Sequence, residues 1–159
     1  MWFGWTHTLV RHQRPVNCIE MGTCLGISAC YIASALKLNG RGHLVTLEGA
    51  SAFADVAKEN LKALGLNNTS INVGKFSGTL SNALQTMQPV EFLFIDGHHD
   101  RDATLDYFAQ SRPYLATSNI VVFDDIDWSD GMREAWAKIR ESADSFSLGN
   151  VGVCLNSSS

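Results

Sequence analysis

Short apolar runs alternate along this chain with stretches in which apolar residues recur every three or four positions. Val16 to Met21 is the first run. It leads through a glycine-bearing turn into Ile27 to Leu38, a helix-period segment apolar nearly all round, which Asn39-Gly40 closes. His43 to Glu48 is the second run, and Phe53, Val56, Ala57, Leu61 and Leu64 then mark one helical face that stops at Gly65. A third strand is expected near Ser70 to Val73. Ser77 is a suitable N-cap for a helix whose stripe is Leu80, Ala83, Leu84 and Met87, ended by Pro89. Phe92 to Ile95 is apolar throughout, as a strand buried on both faces of a parallel sheet should be. A helix over Arg101 to Ser111, a run over Ile120 to Phe123, and a helix striped by Met132, Ala135, Trp136 and Ile139 follow. Phe146 to Leu148 and Val151 to Leu155, parted by Gly149-Asn150, form a closing antiparallel hairpin.

Five strand-helix units in a row predict an α/β fold, a mostly parallel sheet of about seven strands with helices on both faces. Ligands of such sheets bind beyond the C-terminal strand ends, so the polar residues that stop each run are the ones to inspect.

The chain has 159 residues, the size of one domain, and residues 16–156 carry the whole pattern behind a short segment, 1–15. Its 12 Lys and Arg against 16 Asp and Glu give a net charge of −4 with no basic block, which argues against nucleic acid as a partner. No apolar stretch reaches the roughly 20 residues that span a bilayer, and the first fifteen residues hold Arg and His where a signal peptide needs apolar ones. Cys18, Cys24, Cys30 and Cys154 lack metal or disulfide spacing. Cys18 and Cys30 read as small buried hydrophobes, and the compartment expected is the reducing cytoplasm.

At the first strand end, Glu20-Met21-Gly22-Thr23-Cys24-Leu25-Gly26 enters a helix, and its glycines permit a tight turn and close backbone approach by a ligand. A dinucleotide fingerprint begun at Gly22 would need glycine at 24 and 27, where this chain has Cys24 and Ile27, so a nicotinamide-dependent oxidoreductase is disfavoured. Glu48 ends the second strand about 20 residues past the turn, the place from which an acidic residue accepts hydrogen bonds from ribose hydroxyls.

The string Cys18 to Ala29 resembles motif I of class I S-adenosylmethionine-dependent methyltransferases, especially O-methyltransferases related to catechol O-methyltransferase. Phe94-Ile95-Asp96-Gly97-His98-His99 and Val122-Phe123-Asp124-Asp125-Ile126 resemble the branch called methyltransferase family 24. The likeness runs in order from Val16 to Leu155 and implies a Rossmann-like class I methyltransferase fold. It also implies that Gly22, Thr23 and Gly26 hold the methionine end of S-adenosylmethionine with Glu20 and Asp96 near it, and that Glu48 and Gly49 meet the ribose. Lys75, Phe76 and Ser77 would border the adenine, although Phe76 reads equally well as core.

Asp96, Asp124 and Asp125 end neighbouring strands about 4.8 Å apart, and carboxylates so placed can converge on one hard cation. The alternatives are that they cap the next helices or that one stays protonated. The resemblance implies magnesium or a similar divalent ion, with Asp124-Asp125 standing where catechol O-methyltransferase has Asp-Asn. His99 falls three residues after Asp96, where that enzyme has its lysine base, and is the expected catalytic base beside Asp96. His98, His7, His12 and His43 are read as ordinary hydrogen-bonded or surface groups. Trp136 is read as core, and Trp128 as a wall of the acceptor pocket. Trp2, Phe3 and Trp5 are expected to pack on a neighbouring surface or on a second subunit, as in a homo-oligomer.

The expected activity is methyl transfer to a small-molecule hydroxyl. The rival is a noncatalytic S-adenosylmethionine-binding or interaction protein, suggested by the few residues ahead of Val16, where relatives place helices that cover the acceptor pocket.

Overall fold

A computed structural model describes residues 3–156. In chain order the elements are α1 (Phe3–Gln13), β1 (Asn17–Met21), α2 (Ile27–Asn39), β2 (His43–Glu48), α3 (Ser51–Ala63), β3 (Thr69–Val73), α4 (Phe76–Met87), β4 (Val90–Ile95), α5 (Arg101–Ser111), β5 (Leu115–Phe123), α6 (Asp130–Arg140), β6 (Asp144–Leu148) and β7 (Val151–Asn156). The seven strands form one sheet in the order β3-β2-β1-β4-β5-β7-β6. β1 to β5 are parallel, and β7 runs antiparallel between β5 and β6.

Strand alternation divides the apolar side chains between two cores. Ile19, Met21, Leu47, Leu93, Ile95, Val121 and Phe123 face α4, α5 and α6, meeting Leu84, Phe108 and Trp136. Cys18, Leu44, Phe92, Phe94, Ile120 and Val122 face α1, α2 and α3, meeting Val10, Ile32, Leu36 and Leu61. Trp136 is core, and its indole N–H donates to Ser147 Oγ at 3.0 Å. Cys18 and Cys154 are buried, but Cys30 is only partly so, because its place on α2 turns toward the surface. Among the described residues, no helix is long and apolar enough to cross a membrane.

The structure adds α1 to the expected elements. Its fully described buried positions are Thr6 and Val10, one turn apart and one of them polar, so no apolar stripe announces the helix. Trp5 is half exposed; Trp2 and the Phe3 side chain lie outside what is described. The helix expected to be capped by Ser77 starts earlier: Lys75, in extended conformation, is the N-cap, and Ser77 sits in the first turn. β5 also begins at Leu115, well before Ile120, and carries a register irregularity against β4.

The edge where the parallel strands begin is closely tied. Arg11 donates to Asn39 Oδ1 at 2.5 Å, Asn39 Nδ2 to the Val10 carbonyl at 2.9 Å, and Arg14 to the Asn39 carbonyl at 3.2 Å. Arg41 Nε donates to the Arg14 carbonyl at 2.9 Å, and the Glu91 carboxylate accepts from the amides of Val16 and Asn17.

Candidate active site

The face of the sheet that carries Cys18, Leu44, Phe94 and Val122 turns polar at its C-terminal edge, because the next residues of the same alternation are Glu20 and Thr46, then Glu48, Asp96 and Asp124. A cleft of about 840 Å³ opens there. Gly22, at φ 102°, begins its floor: a Cβ at this position would lie 1.9 Å from the Asp96 carbonyl oxygen, so only glycine lets the first loop cross the end of β4. The amides of Gly22 and Thr23 both donate to the Leu47 carbonyl, at 3.0 and 3.2 Å. Gly26, at φ 81°, is the N-cap of α2 and brings that helix against Ala57 of α3.

Glu48 is buried, and both carboxylate oxygens hold backbone. Oε2 accepts from the Cys24 amide at 2.7 Å and Oε1 from the Ala50 amide at 2.8 Å, which fastens the glycine loop to the entry of α3. Beneath the floor, Glu20 is wholly enclosed. Its Oε2 accepts from Thr46 at 2.6 Å, and the Thr46 hydroxyl meets that of Thr23 at 2.5 Å. Burial pushes the Glu20 carboxyl up to about 7, an effect that Ser28 and Thr46 only soften. Ser28 stands near without reaching hydrogen-bond geometry, and Oε1 has no partner.

At the other end of the cleft, His99 stands between two acids. Its Nε2 is 3.5 Å from Asp96 Oδ1 and its Nδ1 is 3.9 Å from Asp125 Oδ2. Asp96 is pushed up to about 8, first by burial and then by Asp124, Glu20 and Asp125. Asp124 is raised chiefly by burial, and its Oδ1 is enclosed without a partner. None of the three acids caps a helix. Asp100 caps α5, accepting from the Ala103 amide at 3.0 Å, and Ser129 caps α6, accepting from the Met132 amide at 3.1 Å. Of the two alternatives to a cation site, helix capping is thus not the role of these acids, while burial and the neighbouring carboxylates favour the protonated form of Asp96.

Of the residues singled out by sequence, Gly22, Thr23, Glu48, Gly49, Lys75, Phe76, Ser77, Asp96 and His99 line the cleft. Glu20 lies under it, and Gly26 shapes its loop from outside the lining. Asp125 approaches through His99. Asp124 instead borders a small hollow with Trp5, Leu9, Phe94 and Leu148, on the α1 side of the sheet. Trp128 is 70% exposed, with its ring 6.3 Å from that of His99.

Sequence reasoning passed over His98 and Tyr107, which also line the cleft. His98 Nδ1 lies 2.5 Å from the Tyr107 hydroxyl, and both rings meet the Phe76 ring edge-to-face at 5.3 and 5.7 Å. Phe76 thus belongs to both readings, wall and core. Leu25, Ile27 and Phe53, 40%, 51% and 48% exposed, form an apolar rim that was likewise not foreseen.

Among the described residues, no three His, Cys, Asp or Glu side chains are already gathered as a metal cluster. The donor chemistry nevertheless fits a hard divalent cation: oxygens of Asp96 and Asp125 face the same imidazole, and Asp124 adds a buried, unpartnered carboxylate oxygen. One cation would offset the mutual repulsion that adds to burial in raising Asp96.

Residues 19–126 match the model of a family described as a methyltransferase domain. The chain is 31% identical over 112 residues to a catechol O-methyltransferase of Niastella koreensis, covering 69% of this chain and 49% of that protein. It thus spans about half the length of the curated relative it matches. Its fold is similar to that of the O-methyltransferase TomG from Streptomyces achromogenes, involved in tomaymycin synthesis and solved in complex with SAM, with a TM-score of 0.80, 21% identity, and coverage of 98% of this chain and 79% of that one. It is also similar to an O-methyltransferase from Bacillus cereus in complex with SAH, with a TM-score of 0.78, 22% identity, and coverage of 97% and 80%.

Proposed function

We propose, since the chain belongs to the methyltransferase-domain family and has the Rossmann-like fold of class I methyltransferases, that it moves the methyl group of S-adenosylmethionine to a hydroxyl oxygen of a small-molecule acceptor, assisted by a divalent cation such as magnesium. The observation that carries this reading is that one cleft unites the glycine loop and Glu48 with Asp96 and His99, so a cofactor-holding half and an acid-base half share one cavity.

S-adenosylmethionine, when bound, would supply an electrophilic methyl group and leave as S-adenosylhomocysteine, and a cation held by Asp96, Asp124 and Asp125 would supply a positive field that acidifies the acceptor hydroxyl. Glu48, already oriented by two amides, has lone pairs left for the ribose hydroxyls. Gly22 and Thr23 let the methionine end approach backbone, while Lys75, Phe76 and Ser77 border the adenine. Phe76 is held in its orientation by His98 and Tyr107. His99 accepts the acceptor proton on a ring nitrogen, kept in place by Asp96 and Asp125. Rate enhancement then comes mainly from alignment. Residues 16–156 form the cofactor-binding domain in this reading, and the four free cysteines support the reducing cytoplasm as its compartment.

Calorimetric titration with S-adenosylmethionine and S-adenosylhomocysteine tests the core of the proposal. Both should bind the wild type, and Glu48→Gln should weaken both about tenfold or more. Lack of binding to either overturns it. Binding without transfer to a broad panel of catechols, phenols and sugars supports the noncatalytic alternative instead.

A further inference from the structure

The side chain of Asp125 is held by the turn between β6 and β7, beside the end of β5. Leu148 pairs with Val151 across a two-residue turn, with Gly149 at φ 62°, the pattern of a type II′ hairpin, and Asn150 takes its second position. From there Asn150 grips the loop after β5 twice: its Nδ2 donates to Asp125 Oδ1 at 2.7 Å, and its carbonyl accepts from the Ile126 amide at 2.9 Å. Asp125 itself is at φ 52°, a backbone state uncommon outside glycine, asparagine and aspartate. With Oδ1 engaged by Asn150, Oδ2 is the oxygen that faces His99, at 3.9 Å.

A turn needs no such residue for its own sake, since Ser or Gly suits the same position. The Asn150 amide also bears a cost there: its Oδ1 is buried with no partner. Reversing the amide would set that oxygen against Asp125 Oδ1, so the donor orientation is the one compatible with an ionised carboxylate.

We infer that Asn150 is a positioning residue of the acid cluster, a hairpin side chain that fixes which oxygen of Asp125 is presented to a divalent cation. This rests on the reading of Asp125 as an ion ligand. Outer hydrogen-bond partners of metal-binding carboxylates typically alter ion affinity by 10- to 100-fold when removed.

The test is manganese uptake by the whole protein, read from the electron paramagnetic resonance signal of the free ion, with S-adenosylhomocysteine affinity measured alongside. Asn150→Ala, and Asn150→Ser as a variant that suits the turn but shortens the donor, should each raise the manganese dissociation constant about tenfold. Cofactor affinity should stay within twofold. In an Asp125→Ala background, Asn150→Ala should add nothing, because a group acting only through Asp125 loses its route. Manganese affinity unchanged by Asn150→Ala, or an equal loss of cofactor affinity, overturns the assignment alone. Wild-type protein that takes up no manganese overturns the ion-ligand reading and the assignment with it.

Discussion

At the edge where the parallel strands begin, Arg11, Arg14 and Arg41 reach an amide oxygen and backbone carbonyls, and Glu91 accepts two amides. At the edge where they finish, Asp96, Asp124 and Glu20 share a buried region in which oxygens of Asp124 and Glu20 have no partner. Backbone conformation follows the same division. Of the five non-glycine residues at positive φ among those described, Cys24, His98, His99 and Asp125 stand at the finishing edge and Arg14 at the other. The finishing edge carries unpartnered carboxyl oxygens and most of the positive-φ backbone, of a kind that collects where ligands are handled, whereas the unpartnered atoms at the starting edge are the neutral ones of Gln13, Asn68 and Thr69.

The comparison can be pressed hardest at His99. His99→Ala should cut methyl transfer by about 10²- to 10⁴-fold while S-adenosylhomocysteine affinity stays within twofold, measured by product formation and calorimetry. A drop in affinity as large as the drop in turnover would make His99 a part of the cofactor wall. Gly22→Ala comes next. Its Cβ collides with the Asp96 carbonyl and its φ is unfavourable, so urea unfolding should show a loss of roughly 4 kcal/mol.

Glu20 supplies a sharper test through pH. Its carboxyl is raised from 4.5 to about 7 in the folded protein, so folding is favoured most below pH 4.5 and that contribution is lost as pH rises through 7. The shift is worth on the order of 3 kcal/mol. Thermal melts of the protein without ligand should therefore fall across this window, and Glu20→Gln should reduce the fall, leaving the part due to Asp96; a wild-type curve that rises there contradicts the enclosed carboxyl whose Oε1 has no partner. The smallest effect belongs to the opposite edge. Arg41→Ala removes hydrogen bonds to one exposed-edge carbonyl and should cost about 0.5–1 kcal/mol with unchanged transfer, and a larger activity loss would erase the contrast between the two edges.

The central strands β1, β2 and β4 were legible because both their faces are buried, so Phe92 to Ile95 and His43 to Glu48 read as runs that stop where the cleft begins. The acids that end them were legible for the same reason. What stayed hidden depended on tertiary partners. The buried positions Thr6 and Val10 carry no stripe that marks α1. Thr117, Ser118 and Asn119 look like loop although they continue β5: Leu115 pairs with Val90 ahead of them, Ile120 with Phe92 after them, and Asn119 itself with Asn156 of β7, so the register irregularity is carried within the strand. Tyr107 lies on α5 and lines the cleft through its contacts with His98 and Phe76, relations with no local signature. Asn150 looked like an ordinary turn residue, since its partner Asp125 is 25 positions away.

The rim formed by Leu25, Ile27 and Phe53 leaves apolar surface in water at the mouth of the cleft. A ligand that covers this surface removes it from water, which lowers the heat capacity of the system. Association in the cleft should then release progressively more heat as temperature rises, so the rim would make its presence known in the slope of binding enthalpy against temperature.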